Sequence, residues 1–236
     1  MPVQNTPAQH AQARFNMVEQ QIRTWDVLDY RVLDVLHAIP REEFVRPEHR
    51  AMAYADVELP VLAGLAGGGG LAGGALEKLF KPVIDGRILQ SIALTGDEEV
   101  LEIGTGSGYT TACLAKLARR VTSIDRRADF AEMAARRLKT LGLFNLSIEC
   151  AEAFNGYAPA HKFDVIVLGG ALAQLPERIW QMLNPNGRIF AVRGLSPVMD
   201  AVVLSGSAKL PKATSLFETD LPYLHGAEPA ERPFVL

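Results

Sequence analysis

Three alternate glycines, Gly104, Gly106 and Gly108, follow the apolar run Val100-Leu101-Glu102-Ile103, and a helical pattern begins at Tyr109. A strand, a tight turn and a helix start in that order form the first unit of a nucleotide-binding βαβ. Glycine permits positive φ in the turn and lets a ligand lie against bare backbone. The helix start presents N–H groups to the ligand's negative end. Such a loop holds a nucleoside-bearing ligand, and two details narrow which one. The dinucleotide fingerprint G-x-G-x-x-G requires glycine at position 109, where this chain has Tyr109. Glu102 stands two residues before Gly104, at the mouth of the site. A carboxylate there repels a pyrophosphate and suits an ammonium group.

S-adenosyl-L-methionine (SAM) carries an ammonium and a sulfonium and no phosphate. A SAM site also expects a second acidic residue about 20 residues on, at the end of the next strand, to hold ribose hydroxyls. Val121-Thr122-Ser123-Ile124-Asp125 supplies it. The candidate cofactor-binding residues are Glu102, Gly104, Thr105, Gly106, Ser107 and Gly108 in the loop, with Asp125, Arg126 and Gly169 at later strand ends. Glu102 is expected to face the cofactor's ammonium end, directly or through water. Gly104 to Gly106 are expected under the amino-acid end and Asp125 on the ribose diol. The competing reading is a strand–helix turn that binds nothing. The common register of Glu102, the glycines and Asp125 favours the cofactor site.

These residues need a sheet beneath them, and the flanking pattern supplies one. After the loop come a helix over Thr110–Arg119, a strand over Val121–Ile124 and a helix over Arg127–Leu141. Strands over Leu146–Cys150 and Phe163–Leu168 follow, the latter with the continuous apolar run of a buried parallel strand. A short helix, Pro176–Leu183, leads to a strand at Arg188–Val192. Val198–Leu204 and Ala213–Phe217 then form a terminal antiparallel pair. The expected fold is α/β, a doubly wound Rossmann-like sheet with its ligand at the carboxyl ends of the strands.

Before the loop, apolar spacing predicts an N-terminal helical cap. Its helices cover Ala11–Trp25, with Phe15, Val18 and Ile22 inward, and Leu28–Ala38, with Val32, Leu33 and Leu36 inward. Short helical turns follow over Arg41–Ala55, and a further helix spans Leu79–Leu94. Between them Gly64 to Gly74 is a low-complexity Gly/Ala tract, expected as a mobile loop that is either a substrate lid or an inert insertion. Residues 1–78 thus form the helical segment and loop, and 79–236 the cofactor-binding domain, packed as one unit.

At 236 residues and 48% apolar the chain is one domain of ordinary α/β size. A net charge of −3 offers no general attraction to nucleic acid or acidic membrane. Cys113 and Cys150 are expected as small core residues, and no metal site is expected. No leader-like segment is seen, and Val61 to Leu76 is too weakly hydrophobic for a membrane span. A cytoplasmic monomer is the expectation. His10, His37, His49, His161 and His225 are scattered, and each is expected on the surface or in packing.

The chain resembles the protein-L-isoaspartate O-methyltransferase family. The likeness runs through Met17-Val18-Glu19-Gln20-Gln21-Ile22-Arg23, Ile39-Pro40-Arg41-Glu42-Glu43-Phe44-Val45 and Ala53-Tyr54-Ala55-Asp56. It continues through Leu101 to Tyr109 and Phe163-Asp164-Val165-Ile166-Val167. It implies a SAM-dependent carboxyl methyltransferase, with S-adenosylhomocysteine as product and isoaspartyl proteins or peptides as substrate. The family's hydroxyl-bearing Gly-Gln-Thr-Ile-Ser-Gln-Pro segment is replaced here by the Gly/Ala tract and Leu79-Phe80-Lys81-Pro82. No Ser or Thr occurs from Asp26 to Gln90 to inherit its role. The family's Gly-Asp-Gly appears as Ala151-Glu152-Ala153, so Glu152 and Ala153 join the cofactor site, with Glu152 facing the adenine amino group.

A carboxylate acceptor, with a pKa of about 3.9, is already ionised at neutral pH and needs no general base. The lack of a Cys/His or Ser/His pair is therefore compatible with this reaction, and no catalytic side chain is assigned. Two alternatives stay open: a SAM-dependent enzyme for another carboxylate, and a SAM-binding module whose catalysis has decayed. Nucleic-acid methylation is disfavoured, since the chain lacks both an Asn/Asp-Pro-Pro-aromatic motif and a basic stripe.

Overall fold

A computed structural model describes residues 5–61 and 78–230. Helix α1 (Pro7–Asn16) starts at a capping box: Thr6 Oγ1 accepts from the Gln9 backbone, and the Gln9 side chain accepts from Thr6 N–H. It runs into a π-helical turn, Met17–Ile22, and a 3₁₀ turn, Arg23–Trp25. The expected single helix is therefore three pieces. The wider turn changes the angular step between residues. Met17, Val18 and Ile22 reach the core, while Phe15, expected inside, stays half exposed against His37.

Helix α2 (Tyr30–Ala38) is capped by Asp29, so the expected start at Leu28 lies outside it and Leu28 is exposed. Val32, Leu33 and Leu36 are buried as expected. The short turns are 3₁₀ helices at Arg41–Phe44 and Pro47–Met52. Strands β1 (Leu59–Pro60) and β2 (Lys78–Leu79) pair antiparallel. Leu79 thus belongs to a strand, and helix α3 (Pro82–Ser91) begins at Pro82, whose missing N–H suits a first turn. The Gly64 to Gly74 tract lies outside the described residues.

The core follows as β3 (Glu99–Ile103), α4 (Tyr109–Leu117), β4 (Arg120–Asp125), α5 (Ala128–Thr140) and β5 (Leu146–Cys150). Then come β6 (Phe163–Leu172), α6 (Glu177–Gln181), β7 (Leu183–Leu195), β8 (Val198–Ser207) and β9 (Leu210–Thr219). The seven-stranded sheet has the order β5-β4-β3-β6-β7-β8-β9. Its strands from β3 to β7 are parallel, and β8 and β9 add the expected antiparallel pair. Strand order reverses at β3, which has β4 on one side and β6 on the other. That switch point leaves a crevice beyond the carboxyl ends of the strands.

Strand alternation sends side chains to two separate cores. Val100, Val165, Val167 and Phe190 pack with the N-terminal elements, α3 and α4. Leu101, Ile103, Ile166 and Ile189 face the other way, toward α6. Among the described residues no helix is long and apolar enough to cross a membrane.

The two thiols differ. Cys113 is buried in α4, whereas Cys150, expected in the core, is exposed at the end of the edge strand β5. Burial also pushes the Cys113 thiol well above its usual range, which keeps it protonated and unreactive. A neutral thiol reagent will label one equivalent, Cys150, in the native protein and a second only in denaturant. Rapid native labelling of both would contradict this burial.

Candidate functional site

A cavity of about 420 Å³ opens at the switch point. Ile103 to Ser107 form its floor at the end of β3, with Asp125 ending β4 and Arg126 just after it, Ala151 to Asn155 after β5, and Gly169 from β6. The floor is built from backbone. Gly104 N–H donates to Ile124 C=O at 2.8 Å, which extends the β3–β4 pairing into the loop. Gly106 N–H donates to Asp125 Oδ2 at 2.9 Å, and Arg127 N–H donates to Oδ1 at 2.9 Å. One carboxylate thus fixes the loop and the start of α5 together.

Two glycines are required for different reasons. Gly108 caps α4 with φ +86°, and a Cβ there would stand 3.0 Å from Ala134 of α5. A Cβ on Gly169 would stand 2.7 Å from the Gly104 carbonyl oxygen, so the β3 and β6 backbones abut under the cavity.

Gly104, Thr105, Gly106, Ser107, Asp125, Arg126, Glu152, Ala153 and Gly169 all line this cavity. Gly108 and Glu102 do not. Gly108 packs against α5, and Glu102 is buried beneath the loop with 1% exposure. Its Oε2 accepts the Thr111 hydroxyl at 2.5 Å and the Ser123 hydroxyl at 2.6 Å, and Ser123 Oγ lies 2.6 Å from Thr105 Oγ1. Burial pushes Glu102 up to about 7, with Asp125 and Asp85 acting in the same direction against the two hydroxyls. Glu102 therefore stands behind the cavity lining, where it was expected at the mouth of the site. The separation of SAM from dinucleotides then rests on the glycine spacing, since a ribose-binding acid in the place of Asp125 is common to both.

Of the facing wall, only Leu79 and Phe80 were indicated by the sequence, as the replacement for the family's hydroxyl-bearing segment. Val61, Lys78, Leu79, Phe80 and Thr110 line one side, and Pro222, Tyr223, His225 and Gly226 the other. Backbone bonds at 2.8 Å, from Ala171 N–H to Pro222 C=O and from Leu224 N–H to Ala171 C=O, bring the second segment onto β6. Tyr223 hydroxyl donates to Gly194 C=O at 3.0 Å and fixes that ring. His225 thus has a place at the cavity that its scattered position in the sequence did not indicate. Lys78 is held by Glu58 at 2.9 Å.

Behind the first wall lies a buried ion pair. Arg41 Nη1 meets Asp85 Oδ2 at 2.7 Å with both side chains fully buried, and Arg41 also donates to Phe80 C=O. Thr110 hydroxyl donates to Asp85 Oδ1 at 2.9 Å, and the Arg41 guanidinium lies 4.5 Å from the Tyr109 ring centre. The cap, α3 and the start of α4 are joined through these four side chains.

The family model for protein-L-isoaspartate (D-aspartate) O-methyltransferase matches residues 12–201. The chain belongs to this family. Among curated members, the protein-L-isoaspartate O-methyltransferase of Koribacter versatilis is 34% identical over 189 residues, covering 80% of this chain and 79% of its own. That of Syntrophus aciditrophicus is 35% identical over 189 residues, covering 80% and 81%. A solved protein-L-isoaspartate O-methyltransferase shares the fold with a TM-score of 0.76 at 22% identity, over 91% of this chain and 66% of that one. The family match stops within β8. Residues 222–226, which complete the cavity, lie beyond it.

Proposed function

We propose that this methyltransferase uses SAM to esterify isoaspartyl carboxylates in damaged proteins and peptides, with the cofactor lodged in the switch-point cavity. The observation that carries the reading is one chain holding both the family's N-terminal signature and a backbone-floored cavity with Asp125 at its edge. Two features of the cavity fit the cofactor. Gly106 has φ +51° and nothing within 4 Å where a side chain would stand, so bare backbone is open to a ligand. Asp125 is fixed through one lone pair on each oxygen, which leaves others for hydroxyl donors.

In this placement Gly104, Thr105, Gly106 and Ser107 bind the amino-acid end. Asp125 and Arg126 bind the ribose, Glu152 and Ala153 the base, and Gly169 admits the reacting end beside the loop. SAM supplies a methyl group on a sulfonium. The acceptor carboxylate arrives ionised, so the chain's own residues align it and exclude water and need not move a proton. Val61, Leu79, Phe80 and Tyr223 give that region apolar walls.

The second reading is another carboxylate acceptor. It is favoured by Lys78, Leu79 and Phe80 standing in the wall with no hydroxyl among them. The deciding assay follows methyl incorporation from labelled SAM into an isoaspartyl peptide and its aspartyl twin. Base-labile incorporation into the isoaspartyl peptide alone is expected. Binding of S-adenosylhomocysteine without incorporation into either peptide would overturn the first reading.

A further inference from the structure

A second cavity, of about 410 Å³, opens between α6 and the segment 157–162 that leads into β6. Lys162 lines it just before β6 begins at Phe163. Gly169 of the first cavity stands about 20 Å further along that strand, at roughly 3.3 Å per residue. We propose that the second cavity binds a small organic anion, with a carboxylate or phosphate group carried on an apolar body. The proposal is independent of where SAM binds.

The lining carries basic side chains and no acid. Arg178 of α6 reaches across to the facing segment, where Nη2 donates to Tyr157 C=O at 2.9 Å. That bond places the guanidinium between the two walls. Its Nε is buried with no acceptor, and among the described residues Arg178 meets no carboxylate. Most of its donors are therefore unused, which is the exception for a partly buried cation. Lys162 is exposed and takes part in no ion pair among the described residues. The N–H groups of Ala158 and Ala160 likewise donate to no described residue. His161 adds no free charge, because Glu99 holds its Nε2 at 3.0 Å and its ring lies 4.9 Å from that of Phe163. Glu99 is shared in turn with Arg119, so it does not offset Arg178 and Lys162.

Ala158, Pro159, Ala160 and Met182 supply apolar lining beside these cations, and a site of this size and mixture suits a small molecule with one charged group. The walls are preformed. Phe163 N–H donates to Met182 C=O at 2.9 Å and ties the end of the segment to the end of α6, while Arg178 ties its start. An anion bound here avoids the cost of ordering a loop. The competing reading gives Arg178 the single task of holding Tyr157 C=O. A neutral donor could do that, and the reading leaves the unanswered charges of Arg178 and Lys162 without a role.

Benzoate and benzamide share a ring and differ in charge, and phenyl phosphate offers the other head group. In amide-resolved NMR titrations of the whole protein, benzoate and phenyl phosphate should shift the Ala158 and Ala160 signals saturably, and benzamide should not. The tighter of the two anions supports the proposal and identifies the head group. Arg178→Gln should weaken both anions about tenfold, the scale of a charge-assisted hydrogen bond. Lys162→Gln should weaken them about threefold, as for an exposed ion pair. Arg178 also holds Tyr157 C=O, so Lys162→Gln keeps the test decisive if Arg178→Gln unsettles the segment. Equal shifts with benzamide would overturn the proposal, because the cavity would then recognise only the ring. Shifts confined to Gly104–Gly108 would also overturn it by placing the anions in the first cavity. So would affinities unchanged in both variants, or no shift with about 20 mM of either anion, a concentration at which a ligand of so few atoms should bind.

Discussion

Arg41→Ala should lower the free energy of unfolding by about 3–5 kcal/mol, the range for removing one partner of a buried ion pair. The Arg41 and Asp85 side chains are both fully buried, so the change strands Asp85 in a medium that penalises its charge. Burial already raises the Asp85 carboxyl against the pull of Arg41. Once alone, it must be protonated or left unpaired. The variant also loses the cation over Tyr109 and the donor to Phe80 C=O. Removing both charges as Arg41→Met with Asp85→Leu should recover most of the loss, because similar volume is kept without desolvation. Urea unfolding with an unchanged m-value measures both. A loss under about 1 kcal/mol in Arg41→Ala, typical of an exposed pair such as Arg127–Asp129, would show that the pair is not isolated from water.

Asp125→Ala should weaken S-adenosylhomocysteine by about 2–3 kcal/mol, or roughly 30- to 160-fold. Two effects combine. The ribose loses its charge-assisted acceptor, and Gly106 and Arg127 lose the carboxylate that ties the loop to α5. Asp125→Asn should be nearly as harmful despite its shape. An amide has one oxygen, so its NH₂ group must point at the N–H of either Gly106 or Arg127. Affinity like that of the unaltered protein in both variants would remove Asp125 from the site.

Much of this enzyme was legible because its features are local. A strand, a turn needing positive φ and a helix start are encoded within a few residues. The glycines and Asp125 could therefore be placed in one site, and the family signature in the cap could be recognised. Glu102 was expected at the mouth of the site because it stands next to the loop in sequence, yet it is buried behind the cavity lining. Alternation along β3 puts it on the face of Val100, under α4, and its register partner on β4 is Ser123. That partner became visible only once the strands were paired.

The remaining site residues depend on the tertiary structure alone. Pro222 to Gly226 reach the cavity through backbone bonds to Ala171, about fifty residues earlier, and backbone bonds leave no side-chain pattern to read. Arg41 and Asp85 are 44 residues apart, and neither looks buried by residue type. Phe15 turned outward because a π-turn broke the helical spacing, and Cys150 became exposed because β5 closes the edge of the sheet. Sequence alone determined the elements whose hydrogen bonds close within a few residues. The folded chain decided which faces meet, because burial and pairing are set by neighbours far away in sequence.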